Sequence, residues 1–172
     1  RAFRKDFNIE MCRGNIETRI RKFFNNSFDA LILAEAGLKR LQINYSNVIS
    51  LEILPPPAGQ GVIAIQCVDT PKNNKINHII SSINDERTFN EIISERSLVK
   101  NLNGSCRSPI SSSANIDSYG DLTLNGYVAN VSGTKIINEN LTGNVNEADA
   151  IGKKLAHRLI LKGAQDILNE VD

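Results

Sequence analysis

Cys106 stands in the turn-rich run Leu102-Asn-Gly-Ser-Cys-Arg-Ser-Pro109, where Gly104 and Ser105 leave a thiol uncrowded and Arg107 favours its thiolate. Two further segments gather arginines, Arg13-Gly-Asn-Ile-Glu-Thr-Arg19 and Ala36-Gly-Leu-Lys-Arg40. A guanidinium keeps its charge and grips carboxylates in a bidentate fork. Arg13 and Arg19 also flank the predicted start of a helix, whose unpaired N–H groups favour anions. A thiol with such arginines is suited to covalent chemistry on a polyanionic ligand. From the residues alone, the arginines could equally be solvated or paired with Glu10, Glu17 or Glu35, and Cys106 could be a semi-buried residue without a chemical role.

Composition narrows the field. The chain has 172 residues and a net charge of +1, so it lacks the global basic field of most nucleic-acid binders. Its three cysteines are widely spaced without a CxxC pair, and its only histidines, His78 and His157, lie far apart. A disulfide framework and a zinc site are both disfavoured, and a reducing cytoplasm fits best. The sequence shows no membrane span and no signal peptide. Gly59-Gln60-Gly61 lacks the spacing of a nucleotide fingerprint and, like Gly37, is expected to serve backbone geometry. A thiol-dependent hydrolase is poorly supported, because neither histidine lies in a motif presenting a base.

The elements that must position these residues follow from periodicity. Residues 1–7 read as the tail of a helix, which suggests a chain that begins within a larger protein. Residues 8–12 and 30–34 read as strands. Asn15 is the predicted N-cap of a helix with its apolar stripe on Ile16, Ile20, Phe23 and Phe24, and a short helix is expected over 35–41. This alternation argues α/β for residues 1 to about 50. Pro55, Pro56 and Pro57 force extended backbone and mark a crossing. Residues 61–67 read as a buried strand. Helices are expected over 72–83, with Ile76, Ile79, Ile80 and Ile83 on one face, and over 86–102, with Phe89, Ile92, Ile93, Val99 and Leu102 inward. Residues 108–116, 121–128 and 135–142 alternate as an antiparallel meander with turns at Tyr119-Gly120 and Ser132-Gly133. A final helix capped by Asn146 presents Ile151, Leu155, Leu159 and Ile167 on one side. Cys12 and Cys67 are expected in the core, and Glu95-Arg96 as a helix-face ion pair bracing the cysteine loop.

Taken together, Arg13-Gly-Asn-Ile-Glu-Thr-Arg19, Asp29-Ala-Leu-Ile-Leu-Ala-Glu-Ala-Gly-Leu-Lys-Arg-Leu41, Leu54-Pro-Pro-Pro-Ala-Gly-Gln-Gly61, and Glu95-Arg96 followed by Leu102-Asn-Gly-Ser-Cys-Arg-Ser-Pro-Ile110 resemble the porphobilinogen deaminase (hydroxymethylbilane synthase) family in order and spacing. Nearly the whole chain is covered. The resemblance implies a transferase of tetrapyrrole (haem) biosynthesis that joins four porphobilinogen units with release of ammonia. Its dipyrromethane cofactor is expected on Cys106 through a thioether, with the carboxylates of cofactor and growing chain held by Arg13, Arg19 and Arg40 beside Gly37. The implied fold is a partial periplasmic-binding-protein-like α/β domain followed by a small α+β domain with a three-stranded antiparallel sheet covered by helices. Residues 1–58 would belong to the second α/β domain, 59–84 to a crossing that includes the returning strand of the first domain, and 85–172 to the cofactor-carrying C-terminal domain.

Two departures stand out. The family's adjacent arginine pair before Arg13 is not found in residues 1–12, and most of the first domain, with the catalytic aspartate, is not present. The chain alone is therefore expected to be inactive, with no catalytic residue of its own. The resemblance further implies a cytoplasmic monomer at full length, with porphobilinogen as its small-molecule partner and no metal, nucleic acid or membrane. The alternative is a non-catalytic anion-binding module of periplasmic-binding-protein type.

Overall fold

A computed structural model describes residues 4–43, 48–51, 56–68, 74–105 and 107–170. Cys106, Leu54, Pro55 and Lys72 lie outside the described residues. The chain divides into two compact units, Asp6–Leu51 and a larger one made of Arg1–Lys5 and Glu52–Asp172.

The smaller unit is built on two helices. Asn15 Oδ1 accepts the Thr18 N–H at 2.8 Å and starts α1 (Ile16–Phe24), as the sequence predicts. α2 (Glu35–Arg40) follows Ala34, whose backbone is extended. Both helices end in a Schellman motif with a left-handed residue other than glycine. At α1, Asn26 (φ 56°) donates to Phe23 O and Ser27 to Lys22 O; at α2, Gln42 (φ 54°) donates to Lys39 O and Ile43 to Leu38 O. Gly37 lets the helices meet, since a Cβ there would lie 2.4 Å from Ile16 Cδ1.

The larger unit opens with α3 (Asn74–Ser82) and α4 (Glu86–Asn101), the latter capped by Asp85 Oδ1 on the Thr88 N–H at 2.7 Å. Strands β1 (Ile110–Ile116), β2 (Asp121–Ala129) and β3 (Ile136–Asn144) form an antiparallel meander in the order β1-β2-β3. α5 (Ala148–Leu161) and α6 (Ala164–Asn169) complete it. Period-two alternation sends Leu122, Leu124 and Val128 of β2 to one face. There they meet Leu98 and Leu102 from the α4 end and Ile151, Leu155 and Leu159 of α5 in the core. Burying each such leucine contributes about 1.5–3 kcal/mol. The α4–α5 crossing is close enough that a Cβ on Gly152 would stand 2.5 Å from Ser94 O and 2.6 Å from Ser97 Cβ.

Several expectations are corrected. Residues 8–12, 30–34 and 61–67 are not strands. A strand exists only through a hydrogen-bonded neighbour, and among the described residues none pairs with these segments. Cys12 is accordingly only half-buried, and Cys67 is exposed with its Sγ 3.1 Å from Asn77 Oδ1. The described residues of 1–7 form a turn rather than a helix. Ile76, Ile79 and Ile83 of the 72–83 stretch are exposed. Phe89 is 54% exposed, because α4 turns its Glu91, Ser94, Glu95 and Leu98 stripe inward, about a third of a turn from the centre of the expected face. Asn146 is not the cap of the last helix: it lies in a short 3-10 turn, Val145–Glu147, capped by Asn144, whose Oδ1 accepts the Asn146 N–H. α5 starts after it at Ala148 with no side-chain cap and ends before Gly163 (φ 91°), which separates it from α6.

Candidate anion-binding site

The smaller unit gathers part of the predicted site. The N-terminal turn of α1 and the body of α2 enclose an open pocket of about 550 Å³ lined by Gly14, Asn15, Glu17, Arg19, Gly37 and Arg40, among others. Arg19 is steered by its Nε, which donates to Gly14 O at 2.7 Å. Arg40 enters from the last turn of α2, where a cation also offsets the helix dipole. Glu35, one of its candidate partners, instead holds Lys39 at 2.8 Å. Two guanidinium groups, one carboxylate and the N-terminus of a nine-residue helix leave the pocket electropositive.

Arg13 is not among the lining residues. Its Nε donates to Met11 Sδ at 3.1 Å, and its carbonyl accepts Lys22 Nζ at 3.1 Å. Gly37 lines the pocket, yet the space in front of its Cα is taken by Ile16, so its demand is for helix contact.

In the larger unit, the segment before Cys106 is fixed by α4. Asn103 (φ 53°) donates to Lys100 O and Gly104 to Val99 O, a third Schellman motif. Ser108 Oγ accepts the Ser105 N–H at 2.9 Å, and Ser105 O accepts the Ser108 N–H at 3.1 Å.

Glu95 and Arg96 do not form the expected ion pair. Adjacent helix positions point a quarter-turn and more apart, and Arg96 is exposed while Glu95 is only 8% exposed. Glu95 Oε2 accepts the Gly59 N–H at 2.8 Å and Oε1 accepts the Ala114 N–H at 2.9 Å. Burial pushes its carboxyl above the ordinary glutamate range, and the two N–H donors pull it back only in part. Sequence reading missed this role. Its only trace was the spacing of Glu91 and Glu95, which puts both on one face.

Among the described residues, no helix is long and apolar enough to cross a membrane, and no group of His, Cys, Asp and Glu is placed to hold a metal ion.

The family profile described as "Porphobilinogen deaminase, dipyromethane cofactor binding domain" matches residues 1–76, which include Arg13, Arg19 and Arg40. Its companion, "Porphobilinogen deaminase, C-terminal domain", matches residues 89–161, which include Cys106. The chain belongs to the porphobilinogen deaminase family. Curated members of that family are similar along nearly all of it. The porphobilinogen deaminase of Prochlorococcus marinus (strain MIT 9215) is 40% identical over 161 residues, 92% of this chain and 50% of that protein. That of Geobacter metallireducens (strain ATCC 53774 / DSM 7210 / GS-15) is 37% identical over 171 residues, 98% and 52% respectively. That of Bacillus pumilus (strain SAFR-032) is 34% identical over 171 residues, 98% and 54%. The chain thus spans about half the length of the curated relatives it matches.

Proposed function

We propose that this chain is the cofactor-holding portion of a porphobilinogen deaminase, with a dipyrromethane joined to Cys106 by a thioether and its carboxylates gripped by Arg19 and Arg40. The observation that carries the reading is that these two arginines line one open pocket at the N-terminus of a helix. The fit is one of charge and room: guanidinium forks and free helix N–H groups answer clustered carboxylates, and the opening admits a flat, multiply charged molecule. When bound, the group supplies the primer on which four porphobilinogen units are joined with loss of ammonia.

The residues of the chain then divide the work. Arg19, held at Nε by Gly14 O, keeps its guanidinium in place before a ligand arrives, which lowers the ordering cost of binding. Arg40 adds a second grip from α2. Arg13 would join them only by leaving Met11. Gly37 acts indirectly, by letting α1 and α2 approach. Residues 1–58 are proposed to be part of an α/β domain of periplasmic-binding-protein type, whose segments 8–12 and 30–34 become strands against the further length found in the relatives. The 172 residues alone are proposed to hold the cofactor without turning over porphobilinogen, and the whole protein to be a cytoplasmic monomer.

Calorimetric titration of the chain with porphobilinogen tests the pocket. Charged hydrogen bonds contribute about 1.5–3 kcal/mol each, so Arg19→Ala and Arg40→Ala should each weaken binding roughly ten- to a hundred-fold. Equal affinities for wild type and both variants would defeat the reading.

A further inference from the structure

β1 is an edge strand, and its sequence Ile110-Ser-Ser-Ser-Ala-Asn-Ile116 contains no charge and no proline. Those are the usual intrinsic defences against pairing with another chain. The strand's inner side faces β2, so its outward-pointing N–H groups belong to every second residue. Each of these four has an acceptor. Ile110 N donates to Ser108 O at 2.7 Å, and Ser112 N to Pro56 O at 3.2 Å. Ala114 N donates to Glu95 Oε1 at 2.9 Å, and Ile116 N to Glu91 Oε1 at 3.0 Å. The outward carbonyl of Ile116 is also taken, by Arg87 Nη2. Arg87 in turn pairs with Glu91 at 3.3 Å and reaches Asn115 Oδ1 at 3.2 Å.

Geometry explains why a helix can do this. Four helical residues rise about 6.0 Å, and two strand residues advance about 6.6–6.8 Å. A carboxylate every fourth residue on α4 therefore keeps step with an outward N–H every second residue on β1, running in the opposite direction. Glu91 meets Ile116 and Glu95 meets Ala114. The next residue in that stripe, Val99, has no acceptor, and the Pro56 carbonyl supplies one to Ser112 instead. Glu95 Oε2 holds Gly59 of the same segment, so one side chain both seals the edge and anchors the segment that seals the adjoining position.

We propose that the Glu91–Glu95 carboxylates of α4, with the Pro56 carbonyl, cap the β1 edge against a second copy of this chain. Removing them would turn β1 into a docking strand. An uncharged, proline-free strand can pair with its own copy about a two-fold axis. This inference is independent of the anion pocket and of Cys106.

The test is the double variant Glu91→Ala/Glu95→Ala. Light scattering after size exclusion, across a range of concentrations, should show a monomeric wild type and a variant that associates in the micromolar range. Amide exchange measured at low concentration should accelerate at least tenfold for Ala114 and Ile116. The ladder amides of Ser113 and Asn115 should not change. Adding Ala114→Pro, which removes the orphaned N–H and blocks pairing there without losing a ladder bond, should restore the monomer. A double variant that stays monomeric overturns the proposal, as does association that survives Ala114→Pro. Should the double variant prove unfolded by circular dichroism, Glu91→Ala alone decides, because it leaves Glu95 on Gly59. Faster exchange at Ile116 with association supports the cap, and wild-type behaviour overturns it.

Discussion

Glu95 shows how a single side chain can be read wrongly from its neighbours. Beside Arg96 it suggests an ion pair, whereas in the fold it is buried and answers two backbone N–H groups from segments far away in the chain. A carboxyl whose pKa is raised by burial binds its proton more readily in the folded chain than in the unfolded one. Its ionisation therefore opposes folding above the raised value, and that opposition is relieved as pH falls from there towards the ordinary glutamate value, about 4.3. In Glu95→Gln the amide cannot titrate, and its NH₂ faces a backbone donor. The stability of wild type minus that of Glu95→Gln should thus widen as pH is lowered from neutral through this window. Urea midpoints at several pH values measure it, and a gap that shrinks on acidification contradicts the assignment. The arginines were legible as a type and a spacing, but their destinations were not. Which of Arg13, Arg19 and Arg40 share a pocket depends on side-chain paths such as Arg19 Nε to Gly14 O, which no periodicity encodes.

At the scale of elements, what the sequence revealed divides along the reach of the hydrogen bonds. Helices close their bonds within four residues, so α1 with its Asn15 cap, α2, and the span of α4 could be read locally. The β1–β3 meander was legible for a similar reason, since consecutive strands joined by the Gly120 and Gly133 turns find their partners nearby. Residues 8–12, 30–34 and 61–67 have strand composition but no described partner, and composition cannot supply one. The inward phase of α4 was read only in part: Leu102 is in the core and Ile93 and Val99 pack against it, but the centre of the contact was missed because small and polar residues lie there. Ser94 and Ser97 are buried where α4 meets Gly152 of α5, a surface that a hydrophobic stripe does not mark. Gly152→Ala should accordingly cost about 1–3 kcal/mol, since the added methyl meets the α4 backbone, which cannot rotate away as a side chain would. Denaturant unfolding reads the cost, and a neutral substitution would show that α4 and α5 cross less closely than described.

At the scale of the molecule, four short segments, each weak alone, identified the family through their order, and the family profiles match the same stretches. The anion pocket lies in residues matched by the cofactor-binding profile and Cys106 in those matched by the C-terminal profile. In the proposed function a dipyrromethane is joined to Cys106 by a thioether. Intact-mass spectrometry of the protein as its own cells make it, beside the Cys106→Ala variant, tests that union most directly. The wild type should carry the added mass of two linked pyrroles and the variant none; a wild type at its bare polypeptide mass, or an adduct retained by the variant, would contradict the account.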